Sequence, residues 1–304
     1  MPELPDITVY TESLERFLSG HELQTVVIKS PFVLRSVDPP IGSLEGRTFQ
    51  GASRIGKRLV LRFDDQLRLV IHLMVAGRLK WLTGTKKPPG NIVLATFAFD
   101  NGLLALTEAS KKKRASIHLV KGNAALEAFE RGGLDVMAAT PQEFAERLRS
   151  ESHTVKRSLT DPTLFDGIGN SYSDEILHRA KLSPLVLTGK LDDDTVHRLH
   201  RACIDVLREW TARLRDETGA AWPEKVTAFR EGMAVHGRYG LPCPVCGSPV
   251  QRIRYADNET NYCATCQTDG RLLADRGLSR LLKKDWPRSI DEYDGMIERA
   301  KNPG

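Results

Sequence analysis

The sequence predicts an α+β multidomain protein: an N-terminal β-sandwich or barrel with helices at its ends, a helical middle domain, and a C-terminal hairpin clamped by four cysteines. Three observations carry this. Short β-type segments alternate with turn signals from Glu22 to about Gly122. Near Thr140 the pattern changes to helical periodicity. Two C-x-x-C pairs then follow, Cys243/Cys246 and Cys263/Cys266.

A helix opens the chain. Pro5 is suited to a first helical position, and Ile7, Tyr10, Leu14 and Phe17 fall on one face before Gly20 ends the run. The predicted strands include 25–29, 58–63, 67–73, 92–99 and 115–120, and the cluster Asp100-Asn101-Gly102 predicts a hairpin turn between two of them. Thr140 and Glu143 form a capping-box start with Pro141 between them, and helices are expected from there to about Gly219. In one long helix Val196, Leu199, Cys203, Val206, Trp210 and Leu214 recur at three- and four-residue spacing, which assigns Cys203 to a buried face with no chemical role. The expected division is 1–135, 136–235, 236–267 for the cysteine module and 268–304 for a mixed-charge extension with a helix around 278–284.

At 304 residues the chain is too long for one ordinary core. Its 44 Lys and Arg against 39 Asp and Glu give +5, a modest excess that suits a polyanionic partner without demanding one. Apolar runs fall short of the ~20 residues a membrane helix needs, and the first twenty residues lack the layout of a secretory signal. A cytoplasmic protein that does not engage membranes is therefore expected. In a reducing compartment paired cysteines read as metal ligands rather than disulfides.

The cysteine pairs are separated by sixteen residues, the spacing of a tetrahedral zinc site holding a hairpin. Four thiolates leave no open position, so this zinc would be structural and no catalytic metal is expected. Such a ribbon can simply stabilise the chain or bind protein; Arg252 and Arg254, alternating on the incoming strand, tilt it towards phosphate contact. Asp166-Gly167-Ile168-Gly169-Asn170 precedes a helical run, an arrangement that serves either as an ordinary glycine-rich connection or as a phosphate site at a helix start. Met1-Pro2-Glu3 carries the same ambiguity. Removal of the initiator methionine frees a secondary amine that titrates near ~8 and can form an iminium with a sugar aldehyde. Glu3 beside it is suited to proton transfer, yet Met-Pro-Glu is also a common solvated helix start.

Four motifs occur in order: Met1-Pro2-Glu3-Leu4-Pro5-Asp6, Ile55-Gly56-Lys57, Gly167-Ile168-Gly169-Asn170-Ser171-Tyr172, and His236-Gly237-Arg238 leading into Cys243 to Cys266-Gln267. Together they closely resemble the formamidopyrimidine-DNA glycosylase and endonuclease VIII family of base-excision-repair enzymes, over residues 1 to about 267. The resemblance implies a β-sandwich, a helix-two-turns-helix domain and a zinc finger, with double-stranded DNA carrying a damaged base or abasic site held in the cleft between the halves. It implies Pro2 as nucleophile at the sugar C1′, Glu3 as general acid/base, and Lys57 as a phosphate contact supporting strand cleavage. Lys156 and Asn170 match phosphate-gripping positions near a flipped nucleotide. Arg238 and the cations Lys111, Lys112 and Lys113 are further candidate DNA contacts. A monomeric bifunctional glycosylase and AP lyase, cytoplasmic and nucleoid-associated if the source is bacterial, is expected. An AP lyase with little base excision, or a non-catalytic damage-binding protein of the same fold, are the alternatives.

The sequence departs from the family pattern in three places. Asn258, flanked by Asp257 and Glu259, stands where the finger arginine is expected, so Arg252 or Arg254 must take over or the finger must sit differently. Val75, preceded by Met74, occupies the place of a methionine wedge, and Ser110-Lys111-Lys112-Lys113-Arg114 replaces an Arg-Phe loop. The extension beyond Gln267 is additional. A mobile loop capping the base is expected at 216–231.

Overall fold

The structure, a computed structural model, describes residues 1–84, 88, 90–255, 258–274 and 282–301. Asp257 and most of the helix expected at 278–284 lie outside the described residues. The chain forms two compact units, Met1–Gly133 with Leu207–Ala228, and Leu134–Val206 with Phe229–Gly304.

In the first unit, helix α1 (Leu4–Leu18) begins one residue before Pro5, because Glu3 and Asp6 form a reciprocal capping box that fixes the start. Eight strands follow: β1 (Glu22–Ile28), β2 (Arg47–Ile55), β3 (Arg58–Phe63), β4 (Leu67–His72), β5 (Gly77–Leu82), β6 (Val93–Phe99), β7 (Gly102–Glu108) and β8 (Ser116–Lys121). All pair antiparallel in the order β5-β7-β6-β1-β2-β3-β4-β8. Only Glu22↔Thr48 and Leu23↔Arg47 join β1 to β2, so the ladder folds there into the two layers of a β-sandwich. Alternation along the strands sends Leu59, Leu61 and Phe63, with Leu69 and Ile71, into the core against Ile7, Tyr10 and Leu14 of α1.

Asp100 and Asn101 form the expected two-residue turn, Phe99 pairing with Gly102. The turn is tied down by His21 Nδ1 to Asp100 Oδ1 at 2.7 Å and by Asn101 Nδ2 donating to the Phe17 carbonyl at 2.8 Å. Gly102 is required by packing, because a Cβ there would lie 2.4 Å from the Trp81 ring.

Trp222 completes this core from far along the chain. It is 6% exposed, packs edge-on and tilted among Tyr10, Phe17 and Trp81, and donates its indole N–H to the Leu79 carbonyl at 3.0 Å. Val226 is buried in the same cluster, and Arg16 donates to the Gly219 carbonyl at 2.6 Å. The stretch expected to be a mobile cap is thus anchored through much of its length. An indole of this size gains more by joining an aromatic core than by staying in water.

The second unit contains α2 (Pro141–Arg149), α3 (Val155–Thr160), α4 (Asn170–Arg179) and the first half of α5 (Asp193–Thr218), whose second half belongs to the first unit. Thr140 and Glu143 cap α2 reciprocally, as the sequence predicts. Cys203 is fully buried on α5, and burial pushes its thiol well above the usual range. The two-stranded hairpin β9 (Val250–Tyr255) and β10 (Asn258–Cys263) leads into the short helix α6 (Ala264–Thr268). The hairpin is built into this unit rather than standing apart. Gln267 donates to the Leu182 carbonyl at 2.8 Å, and the Asn261 amide donates to Asp174 Oδ2 at 3.2 Å. No helix among the described residues is long and apolar enough to cross a membrane.

Candidate functional site

In the first unit the site is built on the amino terminus. Pro2 is buried and Glu3 is 1% exposed. The Glu3 side chain accepts from the Asp6 amide while the Glu3 amide donates to Asp6 Oδ2 at 2.9 Å, so its carboxylate is fixed at the start of α1, where the helix dipole favours negative charge. Burial lowers the pKa of the Met1 α-amino group below its usual value near 8. The charges of Arg78 and Lys57 act in the same direction and those of Glu3 and Asp6 oppose it. A partly desolvated amine among these four charges is biased towards its nucleophilic, unprotonated form.

Lys57 reaches this place because Gly56 and Lys57 form a two-residue hairpin turn between β2 and β3. Gly56 has φ +60, the left-handed conformation such turns need. Arg78, which motif reading does not single out, donates Nη1 to the carbonyls of Val75 (3.1 Å) and Gly77 (2.6 Å) and Nε to that of Val226. It thereby fixes the β4–β5 turn, where Val75 is 58% exposed and Met74 has φ +53. The loop carrying Lys111, Lys112 and Lys113 is exposed beyond β7. Glu108 at its base is buried and accepts from the Arg114 and Ala115 amides at 2.9 and 3.0 Å, while Lys113 Nζ donates to the Glu108 carbonyl.

His72 on β4 lies among these cations. Burial lowers its pKa from 6.5 to about 4, with Arg58, Lys57 and His118 adding repulsion. The folded protein therefore keeps this imidazole neutral where the unfolded chain would protonate it, so stability falls as pH drops from 6.5 towards 4. Allowing for partial exposure, we expect a loss of about 1–2 kcal/mol between pH 7 and pH 5. Urea unfolding of wild type and His72→Gln at both pH values checks this. Identical pH dependence in the two proteins would contradict it.

In the second unit Lys156 and Asn170 come together. Lys156 Nζ donates to the Asn170 carbonyl (3.1 Å), Ser173 Oγ (2.8 Å) and Asp174 Oδ1 (2.6 Å), which engages all three ammonium protons. Asp174 is fully buried, and its other oxygen accepts from His236 Nδ1 at 2.8 Å as well as from the Asn261 amide. Glu175 accepts from the amides of Ala234, Val235 and His236 at 2.7, 2.9 and 2.9 Å. Burial raises its pKa and those three bonds oppose the rise. Sequence reasoning does not single out either acid; their one local signal is that they follow the Gly167–Asn170 turn closely.

Gly167, at φ +79, turns the chain into α4. Asn170 Nδ2 donates to the Glu259 carbonyl at 2.9 Å, which fastens the hairpin to the start of that helix. Arg252 lies over the Tyr239 ring, 4.0 Å from its centroid, with Nη1 3.4 Å from Glu259 Oε2. Arg254 is exposed and faces Glu259 across the strands. Arg238 Nη2 donates to the Pro242 carbonyl at 3.1 Å, while its buried Nε has no hydrogen-bond partner among the described residues.

The sulfurs of Cys243, Cys246, Cys263 and Cys266 lie within 4.8 Å of one another. The pairs Cys243/Cys266 and Cys246/Cys263 are 3.9 and 3.4 Å apart, close to the ~3.8 Å edge of a tetrahedron with ~2.3 Å zinc–sulfur bonds. His178 Nε2, 3.3 Å from Cys243 Sγ, supports one ligand from outside. The donor set fits a structural zinc, and these four residues would hold it.

Comparison with known proteins agrees with this geometry. Residues 1–114 match the formamidopyrimidine-DNA glycosylase N-terminal domain, 134–219 its H2TH domain, and 240–268 the zinc finger found in FPG and IleRS. A formamidopyrimidine-DNA glycosylase of Desulforamulus reducens is 33% identical over 277 residues, covering 88% of this chain and 99% of that protein. An uncharacterized formamidopyrimidine-DNA glycosylase-like protein of Mycobacterium tuberculosis is 44% identical over 151 residues, half of this chain and 94% of that one. Among solved structures, a complex of Lactococcus lactis Fpg with DNA containing an abasic site aligns with a TM-score of 0.77 at 26% identity, covering 88% of this chain and 99% of that one. With a β-sandwich, an H2TH helical domain and a four-cysteine zinc finger in this order, the chain belongs to the formamidopyrimidine-DNA glycosylase family.

Proposed function

We propose that the protein is a DNA glycosylase of base excision repair with AP-lyase activity, working through the amine of Pro2. The observation that carries this reading is the amino terminus itself. Glu3 is buried beside Pro2 and tied to Asp6, and burial lowers the pKa of the neighbouring Met1 amine, with Arg78 and Lys57 acting in the same direction against Glu3 and Asp6. The complexes of the relatives contain DNA with abasic sites and, in one case, carbocyclic 8-oxo-G, which supports damaged DNA as the substrate.

Once Met1 is removed, the Pro2 nitrogen attacks C1′ of the damaged nucleotide, the bond from C1′ to the base breaks, and the base leaves with a proton. Glu3 protonates the ring oxygen O4′ as the sugar opens to the iminium. Loss of the C2′ proton expels the 3′ phosphate, and a second elimination releases the 5′ phosphate. Hydrolysis of the iminium returns the free amine. Lys57 stabilises phosphate charge through this sequence. In the second unit Asn170 and the first amides of α4, with Arg238, Arg252 and Arg254, bind backbone phosphates. Lys156 serves this grip by fixing the Asn170 carbonyl, its three protons being engaged internally. Lys111, Lys112 and Lys113 add backbone affinity. Residues 1–135 are the catalytic domain in this reading, 136–235 and the finger at 236–267 bind DNA, and the protein acts as a monomer in the cytoplasm or nucleoid.

Borohydride trapping tests this on duplexes carrying an abasic site, 8-oxoguanine, a ring-opened purine or thymine glycol. A covalent adduct mapping to the peptide that begins at Pro2, and abolished when an uncleaved N-terminal extension blocks the amine, is expected. Absence of any adduct, with Pro2 confirmed as the first residue by intact mass, would leave a damage-binding protein. The exposed Val75 at the place of a methionine wedge favours a second reading, an AP lyase with little base excision. Trapping on the abasic duplex alone would support it.

A further inference from the structure

The finger presents two faces with different partners. Arg252 and Arg254 share one face with Glu259 and Asn261, their cross-strand neighbours, while Ile253, Thr260 and Tyr262 lie on the other. Chain from beyond Gln267 covers that second face. Ile253 and Tyr262 are buried with Leu272 and Leu273, and Tyr255, Ile290 and Tyr293 pack against them. The Leu273 amide donates to the Tyr262 hydroxyl at 2.8 Å, and the Leu272 amide to the Arg288 carbonyl at 2.9 Å.

Tyr293 connects the two faces. Its ring packs against the covered face, and its hydroxyl meets that of Tyr239 at 3.2 Å. The Tyr239 ring in turn carries the Arg252 guanidinium at 4.0 Å from its centroid. Glu259 holds the guanidinium from the edge, its own Oε1 accepting from Asn261 Nδ2 at 2.8 Å. Among the described residues Nη1 is the one guanidinium nitrogen with a hydrogen-bonding or ion-pair partner, so the remaining edge can receive a phosphate in the bidentate manner that arginine favours. The tip itself offers Asn258, which is neutral.

We propose that the extension beyond Gln267 is a working part of the finger: Tyr293 positions Tyr239, and Tyr239 holds Arg252 ready as the finger's phosphate contact. This rests on the DNA-binding reading above. An arginine already stacked on a ring loses less conformational freedom on binding than one that waves from a hairpin tip, so a shift of the contact from tip to strand preserves the grip.

The test is a salt titration of binding by the full chain to a duplex carrying a tetrahydrofuran abasic analogue. Arg252→Ala is expected to lower the slope of log affinity against log salt by about 0.9, the loss of one phosphate contact. Tyr293→Phe keeps the ring and its packing but removes the hydroxyl. It is expected to weaken binding about threefold to tenfold and shift the slope in the same direction, with zinc content and melting temperature at wild-type values. In an Arg252→Ala background Tyr293→Phe should have no further effect. Equal weakening in both backgrounds, or none in either, would overturn the proposal while leaving the repair reading intact. If wild type fails to bind the abasic duplex, the repair reading falls and this inference falls with it.

Discussion

A Glu3→Gln protein is expected to hold an abasic duplex with wild-type affinity yet to lose base excision by about 10²- to 10⁴-fold, equivalent to ~3–5 kcal/mol of barrier. Glutamine has the same shape, and its amide oxygen can still accept the Asp6 N–H, so the start of α1 and the placement of Pro2 persist. What disappears, in the proposed mechanism, is the ability to deliver a proton to O4′ and to shuttle it afterwards. Single-turnover excision on the lesion that traps best, run beside anisotropy on the abasic duplex, separates chemistry from binding. Excision within threefold of wild type would mean that another acid serves. A parallel loss of affinity would mean that Glu3 acts by shaping the site.

Asp174→Ala should produce the largest loss of stability. The carboxylate is fully buried between Lys156, whose side chain is 12% exposed, and His236, at 6%. It also satisfies the Asn261 amide. Removing one partner of a buried ion pair leaves the other charge uncompensated, at a typical cost of ~3–5 kcal/mol. Denaturant unfolding measures this, and the double variant Asp174→Ala with Lys156→Met should recover part of the loss by removing the stranded ammonium. If the single substitution cost less than ~1 kcal/mol, the network would not be the clasp between α4 and the hairpin that its geometry describes. The same substitution removes one anchor of Lys156, which holds the Asn170 carbonyl, so weaker DNA binding should accompany it even under conditions where the protein remains folded.

The sequence made some of this legible and not the rest, for definable reasons. Strands such as β3 and β4 announce themselves because alternation with period two is written locally. The Asp100-Asn101 turn, the Thr140–Glu143 cap and the cysteine pairs are also local signals. Asp174 and Glu175 were invisible because a charged residue on a helix normally faces water, and nothing nearby tells that Lys156, His236 and three backbone amides surround them. Arg78 was missed because it alternates with Lys80 on the partly exposed face of β5 like an ordinary strand cation, and its carbonyl partners leave no motif. Trp222 lies 143 residues from the Leu79 carbonyl that accepts its N–H, a separation no periodicity spans. For the same reason nothing local in 216–231, expected as a mobile cap, announces that Trp222 and Val226 are buried in the sandwich core.

Trp222 also sets the order in which the molecule can be finished. A ribosome makes the eight sandwich strands early, but the indole that fills their aromatic core emerges only after the whole helical stretch from Pro141 to Thr218 has been synthesised. Until then the nascent N-terminal unit carries an apolar vacancy beside Tyr10, Phe17 and Trp81, surface of the kind that chaperones hold and aggregates exploit. The amino-terminal helix that carries Glu3, made before the strands it packs on, is thus attached to a core that closes among the last.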